Sequence, residues 1–163
     1  VRLNPHLSNS SLVDFYKNHY RKLYTGKITS EQVADVFNSQ QITGNKYYQY
    51  IKKIVPEISE FKNVLEVGCS AGGILKVFQE KGHKVIGVDQ DVEYAEFGRS
   101  MGVGILDGDI TKIERNYKFD LVILSHVLEH FTDIERDLND VLNLLKENGL
   151  LFIAVPGLKN KMY

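Results

Sequence analysis

From residue 61 onward, short apolar runs at 64–67, 85–88, 103–106, 121–124 and 150–155 alternate with segments of helical spacing. The runs are apolar at nearly every position rather than at every second one, which is the signature of strands covered on both faces. Five such strands separated by helices predict a parallel sheet, because right-handed crossovers lay helices on its two sides. The class is α/β. One helix is legible at both ends: Thr132 and Glu135 have capping-box spacing, Ile134, Leu138, Val141, Leu142 and Leu145 share a face, and Asn148-Gly149 supplies a stop.

The first 60 residues have a different rhythm. Leu12, Phe15, Tyr16, His19 and Tyr20, then Val33, Val36 and Phe37, then Tyr47, Tyr50, Ile51 and Ile54 recur at helical intervals, and Pro56 closes the last set. Two or three helices are predicted, forming a cover (residues 1–60) on a core of residues 61–163. Tyr20 and Tyr24 are the predicted lid residues, and six of the nine tyrosines lie in this stretch.

Charge sharpens the division. Residues 1–62 hold nine Lys/Arg against five Asp/Glu, and residues 63–163 hold eleven against sixteen, within a net charge of -1. A basic margin of four is an ordinary solvated surface, so a small-molecule partner is favoured over nucleic acid. A chain of 163 residues suits one domain, and 43% apolar with 25% charged residues excludes disordered and collagen-like classes. The single cysteine, Cys69, excludes a disulfide framework and a multi-cysteine zinc site, and it fits a reducing compartment. The apolar run at 150–155 is far shorter than the roughly 20 residues of a membrane helix, and no signal-peptide core opens the chain. The expectation is a cytoplasmic protein that does not enter a membrane.

Ligands of open parallel sheets bind beyond the carboxyl ends of the strands. There the first strand runs through Glu66 to Gly68, then Cys69-Ser70-Ala71-Gly72-Gly73 lead into a helix. Small residues admit close backbone approach to a ligand. The dinucleotide fingerprint requires a glycine where Ser70 stands, and Glu66 would set a negative charge beside a pyrophosphate. A ligand with an ammonium group and no phosphate suits this loop better.

Residues 64–73 resemble the first motif of class I S-adenosylmethionine-dependent methyltransferases, with Ser70 in place of a common glycine. Four further segments resemble that family in order: 85–89, ending in Asp89 with Gln90 beside it; 106–110, with Asp109 and Ile110; 119–131, carrying Ser125, His126, Glu129 and His130; and 144–157. The resemblance implies a three-layer Rossmann-like sandwich with S-adenosylmethionine as cofactor. It assigns Glu66, Gly68, Cys69, Ser70 and Gly72 to the cofactor loop, Asp89 to the ribose hydroxyls, Gln90, Asp109 and Ile110 to the adenine, and Ser125 to the turn below the methyl group. His126 and His130 are the candidate bases, with a small molecule or sugar-type metabolite as acceptor, and a divalent ion at this turn is left open. The family's closing hairpin strands have no counterpart after residue 157, and residues 2–24 are similar to a segment preceding the core in some bacterial relatives. A fragment of a longer protein is expected. A nicotinamide-dependent oxidoreductase, another adenosyl-group user and a non-catalytic cofactor-binding module are the alternatives.

Overall fold

The computed structural model describes residues 29–114 and 116–157, together with Ser11 and Phe15. The helix anticipated around residues 12–20 and the tyrosines Tyr20 and Tyr24 lie outside the described residues. Five strands, β1 (Asn63–Val67), β2 (Lys84–Asp89), β3 (Ile105–Asp107), β4 (Phe119–Ser125) and β5 (Leu145–Ala154), form one sheet. Their order is β3-β2-β1-β4-β5 and every pairing is parallel. β1 sits at the centre, with Val64 beside Val85 on one flank and Leu121 on the other.

Why these runs are apolar throughout is visible in the two cores they separate. On one face Val64, Leu121 and Ile123 pack with Leu75, Phe78 and Tyr94; on the other Leu65, Val122 and Leu124 pack with Val88, Phe119, Val141 and Leu144. The helices α1 (Ser30–Ile54), α2 (Gly73–Glu80) and α3 (Val92–Ser100) supply the first layer, and α4 (Ile134–Leu142) the second. Each fully buried aliphatic side chain contributes about 1.5–3 kcal/mol, so the sheet's centre dominates stability.

α1 replaces the two separate segments expected within residues 33–54. Thr29 caps it in a capping box with Gln32, and Pro56 opens the 3-10 turn that follows. Gly44 falls in the middle of this helix, where a glycine ordinarily weakens it. That glycine instead permits contact: a Cβ there would lie 2.9 Å from the Ile74 Cα and 3.2 Å from a Val77 methyl. α1 therefore presses backbone to backbone on α2, and its Val33, Phe37, Tyr48 and Ile51 belong to the same core as β1.

Other boundaries shift for local reasons. β3 starts at Ile105 rather than Val103, since Val103 still donates its N–H to the Gly98 carbonyl in closing α3. α4 is capped by Asp133, which accepts from the Arg136 N–H at 3.1 Å, rather than by Thr132. It stops at Leu142 instead of running to Leu145, because Phe119 donates to the Leu144 carbonyl at 2.9 Å and Leu145 then pairs with Phe119 as the start of β5. At this end of the sheet Asp120 accepts from the N–H groups of Lys62 (3.0 Å) and Asn63 (2.8 Å) and from Lys146 Nζ (2.7 Å). Partial burial pushes the Asp120 carboxyl upward, but the Lys146 ammonium and the two N–H donors prevail and hold it below the usual carboxylate range.

Candidate active site

Above the carboxyl ends of β1, β2 and β4 lies a cavity of about 570 Å³. Its floor is the turn after β1. Gly68 and Cys69 both donate to the Val88 carbonyl (2.8 and 3.2 Å), and Gly72 donates to Cys69 (2.9 Å). The turn passes through left-handed backbone at Gly68 (φ 68°), Ser70 (φ 53°) and Gly72 (φ 76°). At position 68 a side chain is also excluded sterically, since a Cβ would lie 2.6 Å from a Val127 methyl.

Asp89, at the end of β2, fixes this turn from the side. One carboxylate oxygen accepts from the Ser70 N–H at 2.6 Å and the other from the Asp91 N–H at 2.8 Å, so its orientation is set before any ligand arrives. Glu66 is 1% exposed, lines the cavity, and its Oε2 has no hydrogen-bond partner among the described residues. Burial pushes its carboxyl well above the usual range, and the neighbouring Asp89 adds to the push. Gln90 presents a second buried oxygen, Oε1, likewise without a partner among those residues. With Asp91 and Asp109 also in the wall, four carboxyl groups face one space. Such a cavity attracts a cation and repels a pyrophosphate.

The remaining predicted positions divide between wall and support. Asp109 lines the cavity, yet one of its oxygens is engaged locally by the Thr111 N–H (2.9 Å) and hydroxyl (2.5 Å). Ile110 packs against the core beside Ile113. Cys69 is wholly buried behind the turn, where a Cβ on Gly87 would meet its Sγ at 2.4 Å. Burial first, then Asp89 and Glu66, raise its thiol well above the ordinary value, so it stays protonated and acts as a small apolar filler. Gly72 backs against Val103 and Ile105.

At the far end β4 delivers Ser125 and His126. Ser125 Oγ lies 3.1 Å from the Tyr47 hydroxyl of α1. His126 turns the chain in left-handed conformation (φ 57°), donates its N–H to the Ala154 carbonyl and holds Nδ1 3.7 Å from Glu129 Oε1. His130, in the 3-10 turn Leu128–His130, lines the same cavity. Among the described residues no group of three His, Cys, Asp or Glu side chains is arranged to hold a metal ion.

Sequence reasoning did not find the α1 wall, formed by Val36, Ser39, Gln40 and Thr43. Gln40 reaches the turn itself: its Nε2 donates to the Cys69 carbonyl (3.1 Å) and its Oε1 accepts from the Gly73 N–H (3.0 Å). The available signal was Gly44, one helical turn beyond Gln40, since a residue without a side chain lets a helix approach its neighbour closely.

An all-parallel sheet of this order, layered by helices and bearing its cavity where strand order reverses, is a Rossmann-like α/β sandwich. Residues 37–162 match the methyltransferase domain family, and the chain belongs to it. A ubiquinone biosynthesis O-methyltransferase of Pelagibacter ubique (strain HTCC1062) is 29% identical over 119 residues, covering 68% of this chain and 50% of that protein. A malonyl-[acyl-carrier protein] O-methyltransferase of Calditerrivibrio nitroreducens is 25% identical over 141 residues, covering 85% and 57%. The chain thus spans about half the length of the curated relatives it matches. Among solved structures, Streptomyces venezuelae DesVI superposes with a TM-score of 0.64 at 17% identity, covering 84% of this chain and 61% of that one. The plantazolicin methyltransferase BpumL in complex with SAH gives 0.64 at 12% identity, covering 87% and 56%. At these identities the two structures speak to the fold.

Proposed function

We propose that this domain belongs to a cytoplasmic, S-adenosylmethionine-dependent enzyme that methylates an oxygen of a small molecule, sugar-type metabolites included. The observation that carries the cofactor is Glu66, a buried carboxyl with an unpartnered oxygen facing a cavity of matching polarity. A ligand bearing an ammonium group satisfies that oxygen, and the neighbouring Gln90 Oε1 awaits a donor such as an exocyclic amine. The acceptor oxygen follows the two O-methyltransferase relatives. The address rests on the lone buried thiol of Cys69 and on the described helices, none of which is long and apolar enough to cross a membrane.

The cofactor supplies an electrophilic methyl group on a sulfonium. The chain's own residues do the rest. Asp89, already held by two backbone N–H groups, would accept from the ribose hydroxyls without reorganising. The turn 68–72 would bring backbone against the cofactor, and Ser125, in the cavity lining, would border its transferable group. His126, 57% exposed at the rim with Glu129 behind it, accepts the proton of the acceptor hydroxyl. Methyl transfer is an in-line displacement, so alignment by these walls contributes most, an effect worth about 7–11 kcal/mol in favourable cases.

The test is calorimetric titration of the chain with S-adenosylhomocysteine, using NAD as the control. Saturable binding of the first alone is expected. Binding of NAD instead, or of neither, refutes the reading.

A further inference from the structure

A second role falls to α1. It carries Gln40, Gly44 and Tyr47 at intervals of four and three, hence on one face. Gln40 holds the turn after β1, Tyr47 bonds to Ser125 at the end of β4, and Gly44 between them allows the helix to touch α2. One helix thus braces both ends of the cavity floor.

The Gln40 contact has a particular chemistry. Gly73 is the first residue of α2, and its N–H is one of the donors that a helix start leaves without an intrahelical partner. In dinucleotide-binding folds such donors face the pyrophosphate. Here Gln40 Oε1 takes that N–H, while Nε2 of the same amide reaches back over the turn to the Cys69 carbonyl. A Cβ on Gly73 would lie 2.2 Å from the Phe37 carbonyl oxygen and 2.7 Å from Gln40 Cβ, so nothing larger than glycine leaves room for the clamp.

We propose that Gln40 is a positioning residue for the cofactor turn: its amide locks residues 69–73 in the ligand-ready form and occupies the helix-start donor that a phosphate ligand requires. The inference rests on the cofactor reading above and deepens it, since it explains from α1 how the turn selects a phosphate-free nucleoside. It also makes α1 part of the cofactor site rather than a cover alone.

The experiment compares wild type with Gln40→Met, which keeps length and packing but loses both hydrogen bonds, and with Gln40→Glu, which keeps only the acceptor. Asp120→Asn serves as the control, because it weakens the opposite end of the sheet without touching the turn. Two quantities are read: amide exchange at residues 69–73 in the ligand-free protein, and S-adenosylhomocysteine affinity. Gln40→Met is expected to speed exchange in the turn selectively and to weaken binding about tenfold, the equivalent of two ordinary hydrogen bonds. Gln40→Glu falls between, and Asp120→Asn leaves the affinity within about twofold, as expected of an independent distant site. Unchanged exchange in Gln40→Met overturns the clamp whatever the ligand does. Equal weakening by Gln40→Met and Asp120→Asn overturns positioning in favour of general destabilisation. If wild type binds no S-adenosylhomocysteine, the proposed function fails and the selectivity argument with it.

Discussion

Replacing Glu66 by Gln removes a titrating group from the centre of the molecule while keeping its shape. Because burial and Asp89 raise the Glu66 carboxyl in the folded state, the folded protein keeps a proton that the unfolded chain loses near pH 4.3. Between that pH and the raised folded value, the folded state binds one more proton, so stability falls as pH rises. Inside that window the slope is about 1.4 kcal/mol per pH unit. For a domain of this size, each unit corresponds to roughly 3–6 °C in Tm. Below the window the acid is neutral in both states and the penalty vanishes. The assay is thermal unfolding of wild type and Glu66→Gln from pH 5 to 8, taking the difference so that all other groups cancel. The variant should gain on wild type as pH rises above the unfolded value, and the gain should level off once the folded carboxyl itself ionises. With S-adenosylhomocysteine present, wild type should release up to one proton per ligand, visible as a dependence of binding heat on buffer ionisation, and Glu66→Gln should release none. A difference that stays flat across the range would show that Glu66 is ionised or hydrated in the folded protein, and the argument for an ammonium-binding cavity would fall.

Gly44→Ala should lower stability by about 1–3 kcal/mol, measured by denaturant unfolding, because its methyl group overlaps the Ile74 backbone; a neutral result would mean α1 is not seated on α2. Asp120→Asn should cost about 1–2 kcal/mol at neutral pH through loss of charge-assisted bonds. Since the folded Asp120 carboxyl is depressed, the wild-type advantage is present at neutral pH and disappears as pH falls through that depressed value, which urea titrations at pH 7 and pH 2.5 would follow. In an active, longer form of the protein, His126→Ala should reduce kcat by about 10²–10⁴ while leaving S-adenosylhomocysteine affinity nearly unchanged. A loss of affinity without a loss of rate would move His126 from the acceptor to the cofactor.

The sheet was legible because buried parallel strands are written as apolar runs, and all five appear where those runs lie. Boundaries were less so. Leu145 completes a helical face in the sequence, yet its partner in space is Phe119, 26 positions earlier, and no local pattern records that pairing. The cavity's acids were readable from their places after strands, whereas Gln40 was not: a glutamine on a helix looks solvated until the tertiary fold brings a turn 29 residues away within reach. Cys69 and Ile110 stand at ligand-motif positions, yet Cys69 is wholly buried behind the turn and Ile110 packs against the core, because apolar side chains gain more from the core than from a cavity lined by carboxyl groups.

Ser70 and His126 stand at opposite ends of the cavity, and each is a side-chain-bearing residue where the backbone geometry favours glycine. Left-handed backbone costs such residues roughly 1–2 kcal/mol, a penalty a glycine at either position would escape. The fold therefore holds a reserve of stability at the two places where ligand chemistry is proposed. Glycine at position 70 would relieve that penalty while keeping the backbone N–H that Asp89 accepts from, whereas glycine at position 126 would relieve it only by removing the imidazole.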